Sequence, residues 1–152
     1  MQIKLYINNK EFNDDIVPDT ILLDFLRAKG FLSVKRGCET SNCGLCTVML
    51  ENKPILSCST LAIRVNGLHI TTIEGLEKRA AEFGEFLADE GAEQCGFCSP
   101  GFIMNVLSMK DELKNPTEDE IKKYLEGNLC RCTGYMGQLR AIKKYLARGK
   151  ED

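Results

Sequence analysis

Polar and apolar residues alternate through Gln2-Ile3-Lys4-Leu5-Tyr6-Ile7, which predicts a strand over 2–8 with Ile3, Leu5 and Ile7 on one face. Asn8-Asn9-Lys10 reads as a hairpin turn into a short second strand. The period then lengthens. Leu22, Leu23, Phe25 and Leu26 form the apolar stripe of a helix over 21–29, with Thr20 placed to cap it and Gly30 to end it. Thr47-Val48-Met49-Leu50 reads as a strand, Asn52-Lys53-Pro54 as a turn, and Ile55-Leu56-Ser57-Cys58 as the partner strand. A last strand around 68–72 completes a small mixed sheet with one packed helix.

After Ile73-Glu74-Gly75 the period of two disappears, and the boundary falls there, dividing the chain into 1–75 and 76–152. Leu76, Ala80, Phe83 and Leu87 recur at helical spacing up to Gly91. Ser99 as cap and Pro100 as first residue start a second helix with Phe102, Ile103, Val106, Leu107 and Leu113 inward. Thr117-Glu118-Asp119-Glu120 is a capping box for a third, with Ile121, Tyr124 and Leu125 as its inner face and Gly127 as its stop. The fourth turns Leu139, Ile142 and Leu146 inward and Arg140, Lys143 and Lys144 outward, and the tail from Arg148 reads as frayed. Four short helices can close into a bundle.

Composition adds one large anomaly. Eight cysteines fall in 152 residues, while apolar residues at 43% are enough for a core and the net charge of −2 is spread evenly. Interspersed charge predicts neither nucleic-acid nor bilayer binding. There is no apolar run of about 18 residues to span a membrane. The first residues lack the order of a secretory signal, so a reducing cytoplasm is expected, where cysteines bind metal or do redox chemistry more often than they pair.

The cysteines divide into two fours. Cys38, Cys43 and Cys46 are spaced C-x4-C-x2-C, and Cys58 follows. That is the plant-type spacing of a [2Fe–2S] site, and Gly37 and Gly44 suit a tightly wrapped loop using positive φ. Structural zinc is the alternative, although zinc sites more usually come as two C-x2-C knuckles. Cys95 and Cys98 with Cys130 and Cys132 form a less diagnostic set, compatible with zinc or iron. Each pair precedes a predicted helix, whose positive end favours thiolate. A thioredoxin-like pair would need a βαβ setting that is absent here.

The remaining polar residues suggest little chemistry. A single histidine, His69, rules out a zinc site with a histidine pair; it reads as an exposed strand residue, and no Ser/His/Asp arrangement is read around it. Gln94, Phe97 and Tyr135 suit packing around a buried site, and Arg131 suits covering one. The charge-rich segment 74–93 reads as a solvated helix face.

Three stretches together carry a family pattern. Gly-Cys-Glu-x3-Cys-Gly-x-Cys-Thr-Val at 37–48, Gln-Cys-Gly-Phe-Cys-Ser-Pro-Gly at 94–101 and Asn-Leu-Cys-Arg-Cys-Thr-Gly-Tyr at 128–135 occur in order. The chain thereby resembles the iron–sulfur subunit of the xanthine dehydrogenase family of molybdenum hydroxylases, over nearly its whole length. Ser99, where many relatives have threonine, departs little. The resemblance implies an α+β fold, with an N-terminal β-grasp ferredoxin-like domain followed by a C-terminal four-helix domain. It implies one [2Fe–2S] cluster on Cys38, Cys43, Cys46 and Cys58, and another on Cys95, Cys98, Cys130 and Cys132. Gln94 and Cys132 would approach the molybdopterin of a large subunit. Electrons would run from molybdenum through the helical and then the ferredoxin-like cluster to FAD on a third subunit. The expected assembly is a heterotrimer or a dimer of heterotrimers. No catalytic residue for substrate is expected on this chain. A free-standing two-cluster carrier is the other reading.

Overall fold

A hairpin with two residues in the left-handed region opens the chain. In the computed structural model, which describes residues 1–148, β1 (Gln2–Ile7) and β2 (Lys10–Asp15) pair antiparallel across Asn8 and Asn9, with φ of 50° and 65°. Two such residues in succession give the turn whose twist matches the flanking strands, and asparagine tolerates that conformation. β3 (Thr47–Leu50) and β4 (Lys53–Leu56) repeat the device through Glu51 and Asn52, with φ of 47° and 65°. The turn therefore lies one residue earlier than Asn52-Lys53-Pro54, and Pro54 sits within β4, which its missing N–H permits because β4 is an edge strand.

β5 (His69–Thr71) is shorter than the expected strand and lies at the centre of the sheet. The order is β2-β1-β5-β3-β4, with β1 and β5 parallel and the other neighbours antiparallel. α1 (Leu22–Ala28) buries Leu22, Leu23, Phe25 and Leu26 in the same core as Ile3, Leu5, Ile7 and Ile70. Thr20 does not cap it. Its hydroxyl donates to the Val17 carbonyl at 2.8 Å, while the Leu22 N–H is taken by Thr60 O at 2.8 Å. A bridge between Ile21 and Leu61 thus does the work expected of a side-chain cap.

The C-terminal half is helical: α2 (Glu77–Asp89), α3 (Ser99–Glu112), α4 (Glu118–Leu125) and α5 (Met136–Arg148). A second core gathers Phe83, Leu87, Val106, Leu107, Ile121 and Ile142. Tyr145, absent from the predicted inner face, is only 1% exposed and packs with its ring centroid 5.0 Å from that of Phe83. The capping box at α4 is present in full: Thr117 N–H donates to Glu120 Oε2 at 2.7 Å, and Glu120 N–H to Thr117 Oγ1 at 3.3 Å. Ser99 is not the cap of α3. The backbone is already helical at Cys98, the Ser99 N–H bonds Gly96 O at 3.2 Å, and its hydroxyl donates to Glu93 Oε1 at 2.8 Å. Arg148 ends α5 within the described residues, and the tail beyond it lies outside them.

Candidate metal centres

The loop from α1 to β3 brings Cys38, Cys43 and Cys46 together, with Cys43 and Cys46 buried and Cys38 half-buried. Cys58 joins them by a route that strand pattern did not predict. β4 ends at Leu56, and Ser57–Ser59 forms a single 3-10 turn. Both the hydroxyl and the N–H of Ser57 donate to Cys46 O, at 2.7 and 3.3 Å, and this double grip turns Cys58 towards Cys46. Gly44 has a φ of 73°, as the wrapped loop requires. Gly37 does not have positive φ; instead a Cβ there would lie 2.8 Å from Leu45 Cδ2 and 3.2 Å from Cys43 Sγ.

Protonation follows the surroundings. Backbone N–H groups of Thr40, Asn42 and Cys43 hold the Cys38 thiol down to about 6, the Asn42 N–H lying 3.4 Å from its sulfur. Burial pushes Cys46 up to about 11, with Cys58 adding to it, and burial also raises Cys43. The interactions sort the set into two pairs, Cys38 with Cys43 and Cys46 with Cys58.

The second set sits at two helix starts. Cys95 and Cys98 lie in the turn entering α3, and Cys130 and Cys132 in the loop between α4 and α5. Cys95 Sγ and Cys132 Sγ are 3.5 Å apart and exposed. Cys98 pairs with Cys130, and burial together with that neighbour pushes Cys98 up to about 12. Burial would raise Cys130 as well, but the hydroxyl and N–H of Thr133 outweigh it and lower that thiol, the hydroxyl donating to its sulfur at 3.1 Å. The Phe97 N–H and then Cys132 lower Cys95, and Cys95 in turn raises Cys132. Gln138 Nε2 lies 3.8 Å from Cys98 Sγ, and Tyr135 accepts the Cys130 N–H at 3.0 Å. Gln94 is exposed and donates to Gly91 O at 3.1 Å, next to this set but turned to the α2 end.

A cleft of about 600 Å³ is lined by Cys43 and Leu45 from the first metal loop on one side and by Cys95, Cys98, Cys130 and Cys132 on the other. The Leu129 N–H donates to Cys43 O at 2.9 Å across it. Beside it, α3 is seated directly on the first metal loop: a Cβ on Gly101 would fall 2.3 Å from Gly44 O, and one on Gly44 2.5 Å from Gly127 O. Asn105 Nδ2 donates to the buried Asn128 side chain at 2.6 Å, steadying the approach to Cys130. Gly101, Asn128 and Thr133 stand in the family pattern without a role assigned to them there, and Gln138 and Lys35 were not singled out by sequence reasoning as parts of the site. Gly101 carried a physical signal besides, since glycine inside a helix needs a packing reason.

The donor set fits two-iron clusters. All eight cysteines are free thiols, gathered in pairs. A single zinc ion would ask for four donors around one centre. A [2Fe–2S] cluster asks instead for two thiolates on each of two irons, and its potential responds to hydrogen bonds at the sulfurs. His69, stacked on Tyr6 at 4.7 Å between centroids, belongs to neither set.

Comparison with known proteins agrees with this arrangement. Residues 5–64 match the 2Fe-2S iron-sulfur cluster binding domain, and residues 72–143 the [2Fe-2S] binding domain. The xanthine dehydrogenase iron-sulfur-binding subunit of Escherichia coli O157:H7 is 44% identical over 137 residues, covering 88% of this chain and 86% of that protein. The nicotinate dehydrogenase small FeS subunit of Eubacterium barkeri is 36% identical over 149 residues, 96% of this chain and 95% of that one. Among solved structures, quinoline 2-oxidoreductase from Pseudomonas putida 86 superposes with a TM-score of 0.85 at 35% identity, over 98% of this chain and 97% of that one. Aldehyde oxidoreductase from Desulfovibrio gigas gives 0.87 at 34% identity, over 99% of this chain but 17% of a longer polypeptide. No helix among the described residues is long and apolar enough to cross a membrane. With both cluster-binding domains matched and small subunits of multi-subunit oxidoreductases aligned over most of their length, the chain belongs to the electron-transferring iron–sulfur subunits of the xanthine dehydrogenase family of molybdenum hydroxylases.

Proposed function

We propose that Cys38, Cys43, Cys46 and Cys58 hold one [2Fe–2S] cluster, and that Cys95, Cys98, Cys130 and Cys132 hold the other. The domain boundary is placed at Gly75, giving 1–75 and 76–152. Each cluster supplies one-electron transfer with little movement of its ligands. The chain's own task is then placement. The observation that carries the reading is the cleft in which Cys43 of the first set faces all four thiols of the second, bridged by the Leu129–Cys43 hydrogen bond.

The exposed end of the helical set supports a partner on that side. Cys95 and Cys132 reach solvent, and Phe97, Leu129 and Tyr135, which line the same cleft, are each 45–50% exposed. Such an apolar rim favours a covered subunit over a free-standing carrier. We infer that a large molybdopterin-binding subunit lies here, with Gln94 and Cys132 nearest the pterin. The ferredoxin-like set then passes electrons to a FAD-binding subunit. The complex is a cytoplasmic heterotrimer or a dimer of heterotrimers.

Metal analysis with co-purification tests this. The expected chain is red-brown, carries about four irons and four labile sulfides, and comes with a large molybdopterin subunit. Zinc without acid-labile sulfide overturns the cluster assignment. A chain that purifies alone with both clusters overturns the partner assignment and favours the free carrier.

A further inference from the structure

One cation of the N-terminal domain is held against the cysteine turn of the C-terminal domain. Lys35 lies two residues before Gly37, half-buried, its N–H donating to Leu45 O at 3.4 Å. Its ammonium stands 4.8 Å from the centroid of the Phe97 ring and 3.4 Å from Phe97 O. Phe97 is one of the two residues between Cys95 and Cys98. So a charge anchored on one domain is fixed at the thiol turn of the other.

Its neighbour Arg36 shows the contrast. Arg36 is paired with Asp24 and with Glu39, and those two carboxylates neutralise it. None of the ion pairs among the described residues includes Lys35. Its partners are a ring face and a carbonyl, which hold the ammonium in place without cancelling its charge. Glu93, just before the thiol turn, accepts from the Ser99 hydroxyl at 2.8 Å and forms no ion pair with Lys35. Reduction adds one negative charge to a cluster, and net charge around a cluster is one of the quantities that set its potential. Partial burial keeps the interaction above its strength in bulk water.

We propose that Lys35 tunes the C-terminal site from the other domain, raising the reduction potential of the cluster held by Cys95, Cys98, Cys130 and Cys132. The inference rests on the cluster assignment above. It makes the electron-accepting strength of the helical site depend on correct docking of the two domains. A helical domain separated from its partner would hold its electron less firmly.

Redox titration of the loaded full-length chain, followed by EPR, tests the idea, with the two signals assigned through C43S and C98S. In K35Q the amide still donates to Phe97 O but the charge is gone. At a fixed potential, the reduced-to-oxidised ratio of the C-terminal cluster is expected to fall about tenfold, equivalent to about 59 mV for one electron. The N-terminal cluster shifts less, and K35R keeps the wild-type ratio. Intact signals with no shift in K35Q overturn the proposal, as does an equal shift of both clusters or a K35R that behaves like K35Q. If K35Q loses a signal, K35M is read by the same criteria. A wild-type chain with no cluster signals at all would overturn the cluster assignment instead.

Discussion

The N–H of Leu129 donates to the carbonyl of Cys43 at 2.9 Å, so the residue just before Cys130 is bonded to a cysteine of the other set. A single hydrogen bond thus joins two thiol-bearing loops that belong to different domains. The covalent path on either side is short, which suits electron passage between the sites.

If the thiols work as two fours, single substitutions will separate them. C43S removes one cluster's EPR signal and uncouples the flavin side, whereas C98S removes the other signal and blocks electron exit from molybdenum. Freeze-quench EPR after reduction from each side distinguishes the two. Loss of the same signal in both variants would show that the assignment into two fours is wrong.

Docking depends on a backbone contact that leaves no room for a side chain. G101A places a methyl group 2.3 Å from Gly44 O and 2.9 Å from Leu45 Cα, and both are backbone atoms rather than the flexible end of a side chain. The substitution should destabilise the chain by about 1–3 kcal/mol, as overpacking does. It should also slow transfer between clusters, because relief requires moving α3 away from the first metal loop. Denaturant melts and stopped-flow reduction measure the two effects. A G101A chain with native stability and rate would contradict the seating.

Acid should release the clusters, and the direction follows from the thiols. Before a cluster binds, burial holds Cys46 near 11 and Cys98 near 12, with Cys43 and Cys132 also raised, so all four carry protons at pH 7. Loading must displace at least these two protons at each site, so loading is favoured as pH rises and loss as pH falls. Two protons correspond to a change on the order of 100-fold in apparent affinity per pH unit. Chelator-driven bleaching at pH 6 and pH 8 checks this; equal extents would refute it.

Glu74 gives a separate pH signature. Burial alone would raise its carboxyl, but hydrogen bonds from Thr72 and Ser33 outweigh that and hold it below the usual range. A lowered folded pKa contributes stability that is present above the unfolded value, near 4.3, and is lost as pH falls through the folded one. Wild type should therefore exceed E74Q in thermal stability at pH 7, with the gap closing below about pH 4. A gap that persists in acid would assign the effect to shape rather than charge.

Local sequence carried the sites better than their connection. The sheet with its single helix and the Thr117 capping box are local signals, and both are present in the structure. Ser99 has the right chemistry for a cap, yet Glu93 claims its hydroxyl, a competition between distant residues that propensity does not contain. Cys58 was placed on a strand because Ile55 and Leu56 look strand-like, whereas the grip of Ser57 on Cys46 O ends the strand first. The Leu129–Cys43 bond joins two main-chain groups, and main-chain groups leave no mark on composition.

The pairing of thiols also sets an order of maturation. The N-terminal four close within residues 38–58, so a chain emerging during synthesis can complete that site early. Cys95 must wait for Cys132, 37 residues later, and for the turn that launches α5. The site nearest the proposed partner is thus the later of the two to be finished, and the proposed second cluster has no complete set of ligands until Cys132 has been made.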